Sequence, residues 1–267
     1  MRYGDYEGNV EGLIQRELDR IEAAKGVRIL RAIESGSRAW GFASPDSDYD
    51  VRFIYLSPIE HYLSLRPKKR DTIEWVVDDT LDICGWDLSK ALHLAHKGNL
   101  SFFERSASPV VYRNTEEWVR VWETSRKYFS SKVALYSYYG IARSTKNGFL
   151  LDDRVRYKKY LYALRPLLAC KYIEERHSQP PIDFHELVRV VAPEGLKPSI
   201  EKLLAAKAKM NEKDTGPRIP EIDAFIDESL VKYGALSKEM ESDLVEDAGP
   251  LDDVFLEILR CDTTSRR

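Results

Sequence analysis

The stretch Ser35-Gly36-Ser37-Arg38-Ala39-Trp40-Gly41-Phe42-Ala43-Ser44-Pro45-Asp46-Ser47-Asp48-Tyr49-Asp50-Val51-Arg52-Phe53 reads as a tight turn, a linker and the opening of a strand. Upstream, Val27 to Ile33 is apolar and β-branched and runs into Gly36, as a buried strand does where it enters a turn. Downstream, Tyr49 to Leu56 forms a second strand. Side chains alternate along a strand, so Asp48 and Asp50 share one face, with α-carbons about 6.6 Å apart. Tyr49, Val51 and Phe53 then face the core.

Two carboxylates on a rigid strand suit divalent cations, which in pairs about 3.5–4 Å apart serve in-line phosphoryl transfer. Mg²⁺, or Mn²⁺ in its place, takes such hard oxygen ligands and completes its shell with substrate phosphates. At the turn, Gly36 lets backbone N–H groups approach a phosphate and Ser37 adds a hydroxyl donor. An acidic pair by itself is commonly an exposed turn. The combination of Gly-Ser, a linker of about ten residues and Asp-x-Asp on an apolar strand resembles the nucleotidyltransferase signature of the DNA polymerase beta superfamily, whose turns cradle phosphate.

The 267 residues make one large or two ordinary domains, with room for a sizeable core. A composition 43% hydrophobic and 32% charged suits a soluble globular protein, and a net charge of −3 supplies no overall basic field for nucleic acid. Cys84, Cys170 and Cys261 are scattered without metal-ligand spacing, which suits reduced thiols and a cytoplasmic protein. Neither a targeting segment nor an apolar run of membrane-spanning length is visible.

Around the motif, a helix is expected from Asn9 to Lys25, capped by Gly26, with Leu13, Ile14, Leu18 and Ile21 on one face. After the second strand comes a basic loop, Arg66-Pro67-Lys68-Lys69-Arg70, whose four cations could grip a polynucleotide or triphosphate but are more commonly those of a solvated loop. Strands Thr72 to Val77 and Thr80 to Cys84 form a hairpin around Asp78-Asp79, and a helix follows from Gly85 to Lys97. A two-residue loop would pair Trp75 with Asp82 and turn Glu74 to the opposite face, whereas a three-residue loop would pair Glu74 with Asp82 and put both on one face. Asp87 is expected to cap the helix, and His93 and His96 to be ordinary surface histidines.

From about Asn114 long helical patterns dominate, and a second domain is expected over residues 113–267, after a catalytic domain of 1–112. On the helix Val155 to Arg176, Tyr157, Leu161, Leu164 and Leu168 make an apolar face, and Arg154, Lys158, Tyr162 and Arg165 an adjoining one. For Lys159 the solvated face of the helix and a place on the cationic stripe are equally good readings. Arg165, set in an apolar run before Pro166, needs an anionic partner if buried.

Four blocks widen the resemblance: Gly36 to Gly41, Ser47 to Arg52, Leu81 to Leu92 and Tyr157 to Ala169, with Pro180 to Phe184 continuing it. Together they resemble the YcgL-type predicted nucleotidyltransferases, also called RlaP, RNA-ligase-associated polymerase beta-like proteins. The resemblance implies an α+β fold, with a polymerase-beta-like mixed sheet and flanking helices followed by an all-helical domain closing the nucleotide cleft. It implies Mg²⁺-dependent transfer of a nucleoside monophosphate from an NTP to a hydroxyl, an EC 2.7.7-type reaction. Asp48, Asp50 and Asp82 match the catalytic, metal-binding carboxylates; Gly36, Ser37, Arg38, Lys158, Tyr162 and Arg165 are expected to bind the nucleotide. The family's name makes an RNA end the candidate acceptor and an RNA ligase the candidate partner, in RNA repair. Alternatives are a non-catalytic nucleotide-binding partner of a ligase or toxin, and an enzyme that nucleotidylates protein or a small molecule.

Overall fold

The computed structural model describes residues 9–44, 47–65, 71–77, 80–209 and 214–265. In chain order the elements are α1 (Val10–Lys25), β1 (Arg28–Glu34), α2 (Gly36–Ala39), β2 (Tyr49–Leu56), α3 (Ile59–Leu63), β3 (Thr72–Val76), β4 (Leu81–Asp87), α4 (Leu88–His96), α5 (Leu100–Ser106), β5 (Val111–Asn114), α6 (Glu116–Ser125), α7 (Ser131–Phe149), β6 (Arg154–Arg156), α8 (Tyr157–Arg176), α9 (Phe184–Val191), α10 (Lys197–Lys207), β7 (Thr215–Pro217), α11 (Pro220–Glu239) and α12 (Gly249–Ser265). The basic loop 66–70 and the expected hairpin tip Asp78-Asp79 lie outside the described residues, as do Pro45 and Asp46 of the opening stretch.

Contacts divide the chain into two units. The first comprises residues 1–39, 48–128 and 244–267; the second comprises 40–47 and 129–243. The cut expected between residues 112 and 113 falls inside β5, which pairs with β1 and so stays with the sheet. α6 and α12 join the same unit, Trp118, Val121, Leu251, Val254 and Ile258 being buried there. The linker 40–47 packs instead with the helical unit.

The first unit is built on a mixed sheet of order β3-β4-β2-β1-β5. β2 and β4 run parallel, and the other neighbours are antiparallel. The amphipathic pattern that predicts α1 also seats it: Leu13, Ile14, Leu18 and Ile21 pack on Val51, Phe53, Leu81 and Ile83 of one sheet face. Asn9 caps α1 by accepting from Gly12 N–H, and Gly26 ends it at φ 64°. β4 runs on to Asp87, past the strand end expected at Cys84, because Gly85 lacks the Cβ that would collide with the Phe53 ring. Asp87 caps α4 as expected, accepting from Ser89 N–H, while its other oxygen accepts from Ser57 and Tyr62 hydroxyls.

The hairpin register differs from the expected one. Val76 opposes Asp82, Trp75 opposes Ile83 and Glu74 opposes Cys84. The connection is longer than two residues, and a one-residue slip exchanges the faces, so Glu74 shares the face of Asp82 instead of opposing it.

In the second unit α7, α8 and α11 pack together, with β6 and β7 pairing beside them. α8 is buried nearly all round: Tyr160, Leu161, Ala163, Leu164, Leu167, Leu168 and Ile173 are inaccessible. The linker joins this core. Trp40 carbonyl accepts from Phe184 N–H at 2.9 Å, and Phe42 carbonyl accepts from the buried Lys207 ammonium. Among the described residues no helix is long and apolar enough to cross a membrane.

Candidate active site

The first strand, the turn and the second strand meet at Asp50. Its carbonyl accepts from Ser35 N–H at 2.9 Å, and its own N–H donates at 2.7 Å to Glu34 Oε1. Gly36 sits against it at φ +63°, and a Cβ there would come within 2.5 Å of Asp50 Oδ2. Glycine is needed at this point both for the left-handed backbone and for the close approach. Asp50 is thereby held by backbone contacts while its carboxylate stays 38% exposed.

Parallel pairing sets Asp50 beside Asp82. Leu81 and Ile83 are buried and Asp82 is exposed, the alternation expected of a half-covered strand. A single guanidinium nitrogen of Arg52 donates to both acids, to Asp50 Oδ1 at 3.1 Å and to Asp82 Oδ2 at 2.7 Å. The two oxygens are thus no further apart than those two bonds laid end to end. Arg52 also donates to the Val51 and Asp82 carbonyls. Asp48 lies one alternation before Asp50 and is exposed.

Sequence reading passed over Glu34 and Tyr112. Glu34 is 1% exposed and accepts from the Tyr112 hydroxyl at 2.5 Å as well as from Asp50 N–H. Burial pushes its carboxyl up to about 7, against the two hydrogen bonds, with the Asp50 charge adding to the rise. A glutamate ending an apolar strand just before a turn is the only signal available, and it does not distinguish a buried acid from a strand-end one.

The expected nucleotide contacts fall in two places. In the first unit Ser37 is buried on α2, and Arg38 stacks at 3.7 Å on Tyr49 while its Nε donates to the Asp48 carbonyl. In the second unit Arg165 is buried, lying 4.5 Å from the Trp40 ring and donating to the Ile182 carbonyl at 3.4 Å. The Trp40 indole face and the Ile182 carbonyl are two of the contacts of this buried guanidinium. Tyr162 stacks edge-on to Trp40, with Lys158 at 5.7 Å and Lys159 at 5.4 Å from its ring.

Among the described residues no group of three or more histidine, cysteine, aspartate or glutamate side chains could hold a metal ion as arranged. The donor set that fits a hard dication is the pair Asp50 and Asp82, whose oxygens already converge on a cation. Mg²⁺ commonly takes one or two carboxylates and finishes its shell with water and substrate phosphate, so a pair suffices.

YcgL, an uncharacterized protein from Bacillus subtilis (strain 168), is 42% identical over 231 residues, covering 85% of this chain and 88% of its own. A solved nucleotidyltransferase-like protein from Exiguobacterium sibiricum 255-15 matches at 14% identity and a TM-score of 0.29, over 86% of this chain and 75% of that one. The family model described as RlaP, RNA repair pathway DNA polymerase beta family, matches residues 10–257, so the chain belongs to that family and with it to the polymerase-beta-type nucleotidyltransferases.

Proposed function

We propose that the protein transfers a nucleoside monophosphate from an NTP to a hydroxyl acceptor, with pyrophosphate leaving, and that the acceptor is an RNA end. One observation carries the reading: Asp50 and Asp82, on adjacent parallel strands, present oxygens to one cationic group beside the glycine turn. Asp50 and Asp82 would hold Mg²⁺, with Asp48 as the further carboxylate on the same strand face. The metal would polarise the phosphoryl oxygens and lower the pKa of the attacking hydroxyl. The residues of the chain do the rest. Gly36 brings backbone N–H groups to the phosphates, and the N–H of Asp50, fixed on Glu34, sets the aim of its carboxylate.

A second reading has its own observation. Arg52 fills the place between the acids, as it would in a nucleotide-binding protein without transferase activity. Incubation with α-labelled and γ-labelled NTPs, Mg²⁺ and RNA separates the two. The transferase leaves α-label on RNA and γ-label in pyrophosphate, and loses both on Asp50→Asn. Label that stays in the NTP under every condition supports the binding protein instead.

A further inference from the structure

One face of the sheet changes character along its strands. Along β2 it presents Asp48, Asp50, Arg52 and Ile54; along β4 it presents Asp82, Cys84 and Trp86. Beyond Arg52 the face is covered by Phe102 of α5 and Trp118 of α6. Three arginines stand at the border between acids and apolar cover, Arg31 of β1, Arg52 of β2 and Arg105 of α5, and all line one small cavity.

Arg105 lies flat on Trp86, 3.7 Å from the ring, and no carboxylate reaches it at ion-pair distance among the described residues. Desolvation, with Arg52 as the nearest like charge, pulls its guanidinium down to about 10. A half-buried cation stacked on an indole with its edge unclaimed by an acid suits an anion that comes and goes. Arg31 adds a second positive group, its Nε buried without a hydrogen-bond partner. The charges that offset this row are Asp50 and Asp82, held through Arg52. A divalent cation on those acids leaves Arg52 and Arg105 as adjacent, uncompensated cations.

Position assigns the anion. Glu34 pairs with Val51 and Ile33 with Arg52, so the Gly36 turn and the arginines lie on opposite sides of Asp50 along β2. Phosphates of the NTP belong at the turn, and an in-line transfer brings its acceptor from the far side. A hydroxyl at the end of a nucleic-acid strand carries a phosphodiester one sugar away.

We propose that Arg52 and Arg105 seat the terminal phosphodiester of a single-stranded RNA acceptor, and that the seat opens when a divalent cation takes Asp50 and Asp82 from Arg52. This rests on the reading given under Proposed function and names its substrate class: an acceptor bearing phosphate. The cavity as it stands is about 10 Å³, room for one water, so a phosphate enters only when Arg52 leaves the acids.

The test uses the full chain and a 5′-fluorescent single-stranded oligoribonucleotide with a 3′ hydroxyl, read by anisotropy in Mg²⁺ and in EDTA. NTP affinity is measured in parallel. Arg105→Gln is expected to weaken the oligonucleotide roughly tenfold in Mg²⁺ and by less than about twofold in EDTA, leaving NTP affinity within about twofold. Arg105→Lys keeps the charge and is expected to recover part of the loss, which controls for damage to the Trp86 stack. Inorganic phosphate is expected to compete with the oligonucleotide in Mg²⁺ only. The proposal is overturned by an oligonucleotide that ignores the wild-type protein, by equal losses with and without Mg²⁺, or by a loss that falls on the NTP. These readouts are binding constants, so a protein that seats the strand but transfers no label overturns the transferase reading and leaves the seat standing.

Discussion

Two arginine–aspartate clusters, one in each unit, are built oppositely. In the helical unit Arg218 grips both oxygens of Asp223 at 2.9 and 2.8 Å. The Tyr160 hydroxyl closes on the same carboxylate while accepting from Ile219 N–H. One base meets one acid, and the acid is 14% exposed. In the sheet unit one arginine serves two acids that are 38% and 55% exposed. The first cluster is saturated and holds α8 to the start of α11. The second leaves carboxylate oxygens open on a rigid strand, an arrangement that does little for stability and that the proposed function would use to hold a cation.

Substitutions separate the two roles. The largest effect is expected from Asp50→Asn, which on the proposed reading should lower transfer by on the order of 10³-fold, because several kcal/mol of transition-state stabilisation would then rest on that site. Its stability should change by less than about 1 kcal/mol, since a partly exposed pair contributes little. Labelled-NTP turnover beside urea unfolding measures both, and a variant that unfolds early would erase the contrast with the helical cluster.

Next is the pH dependence from Glu34. Its folded carboxyl sits at about 7, above the ordinary glutamate value, so the folded state binds this proton more tightly than the unfolded chain does. The associated stability is present below about pH 4.5 and is lost as pH rises to about 7, amounting to roughly 3 kcal/mol. Glu34→Gln carries no such charge. Its stability relative to wild type should climb across that window in EDTA, and a difference independent of pH counts against a buried acid beneath Asp50.

Asp223→Ala comes third. It strands the Tyr160 hydroxyl and the Arg218 guanidinium, and should lower stability by about 2 kcal/mol. Affinity of Mn²⁺ for the protein should be unchanged. Loss of metal binding here, by isothermal titration, would make the two clusters functionally alike. The smallest effect is expected for Lys159→Ala, whose ammonium lies 3.9 Å from the Phe149 ring: about 0.5–1 kcal/mol by thermal melt.

Much of the sheet unit was legible because its signals are local. α1 follows from apolar spacing and a glycine cap, the start of β2 from the alternation of Tyr49 to Phe53, and the exposed face of Asp82 from sitting between two residues that need the core. The misreadings share a cause: they required knowledge of a neighbour. The hairpin register turned on a loop whose length changes every face beyond it. β4 reached Asp87 because Phe53, on another strand, needs a glycine opposite. α5, which carries Arg105, was not foreseen, its seven residues being too short to display a helical period.

By itself the sequence determined the alternating strand with two acids on one face, the turn that demands glycine, the helical periods after residue 114 and the family resemblance. All of these depend on residues close in the chain, whose geometry is set by backbone sterics and side-chain period. Tertiary structure decided that Arg52 stands between Asp50 and Asp82, that Glu34 is buried under Asp50, that the linker 40–47 packs with the helices and that Arg165 ends against Trp40. Charge, burial and partner are properties of the space around a side chain. That space is filled by residues tens of positions away, whose arrival depends on strand order and register, not on the local pattern.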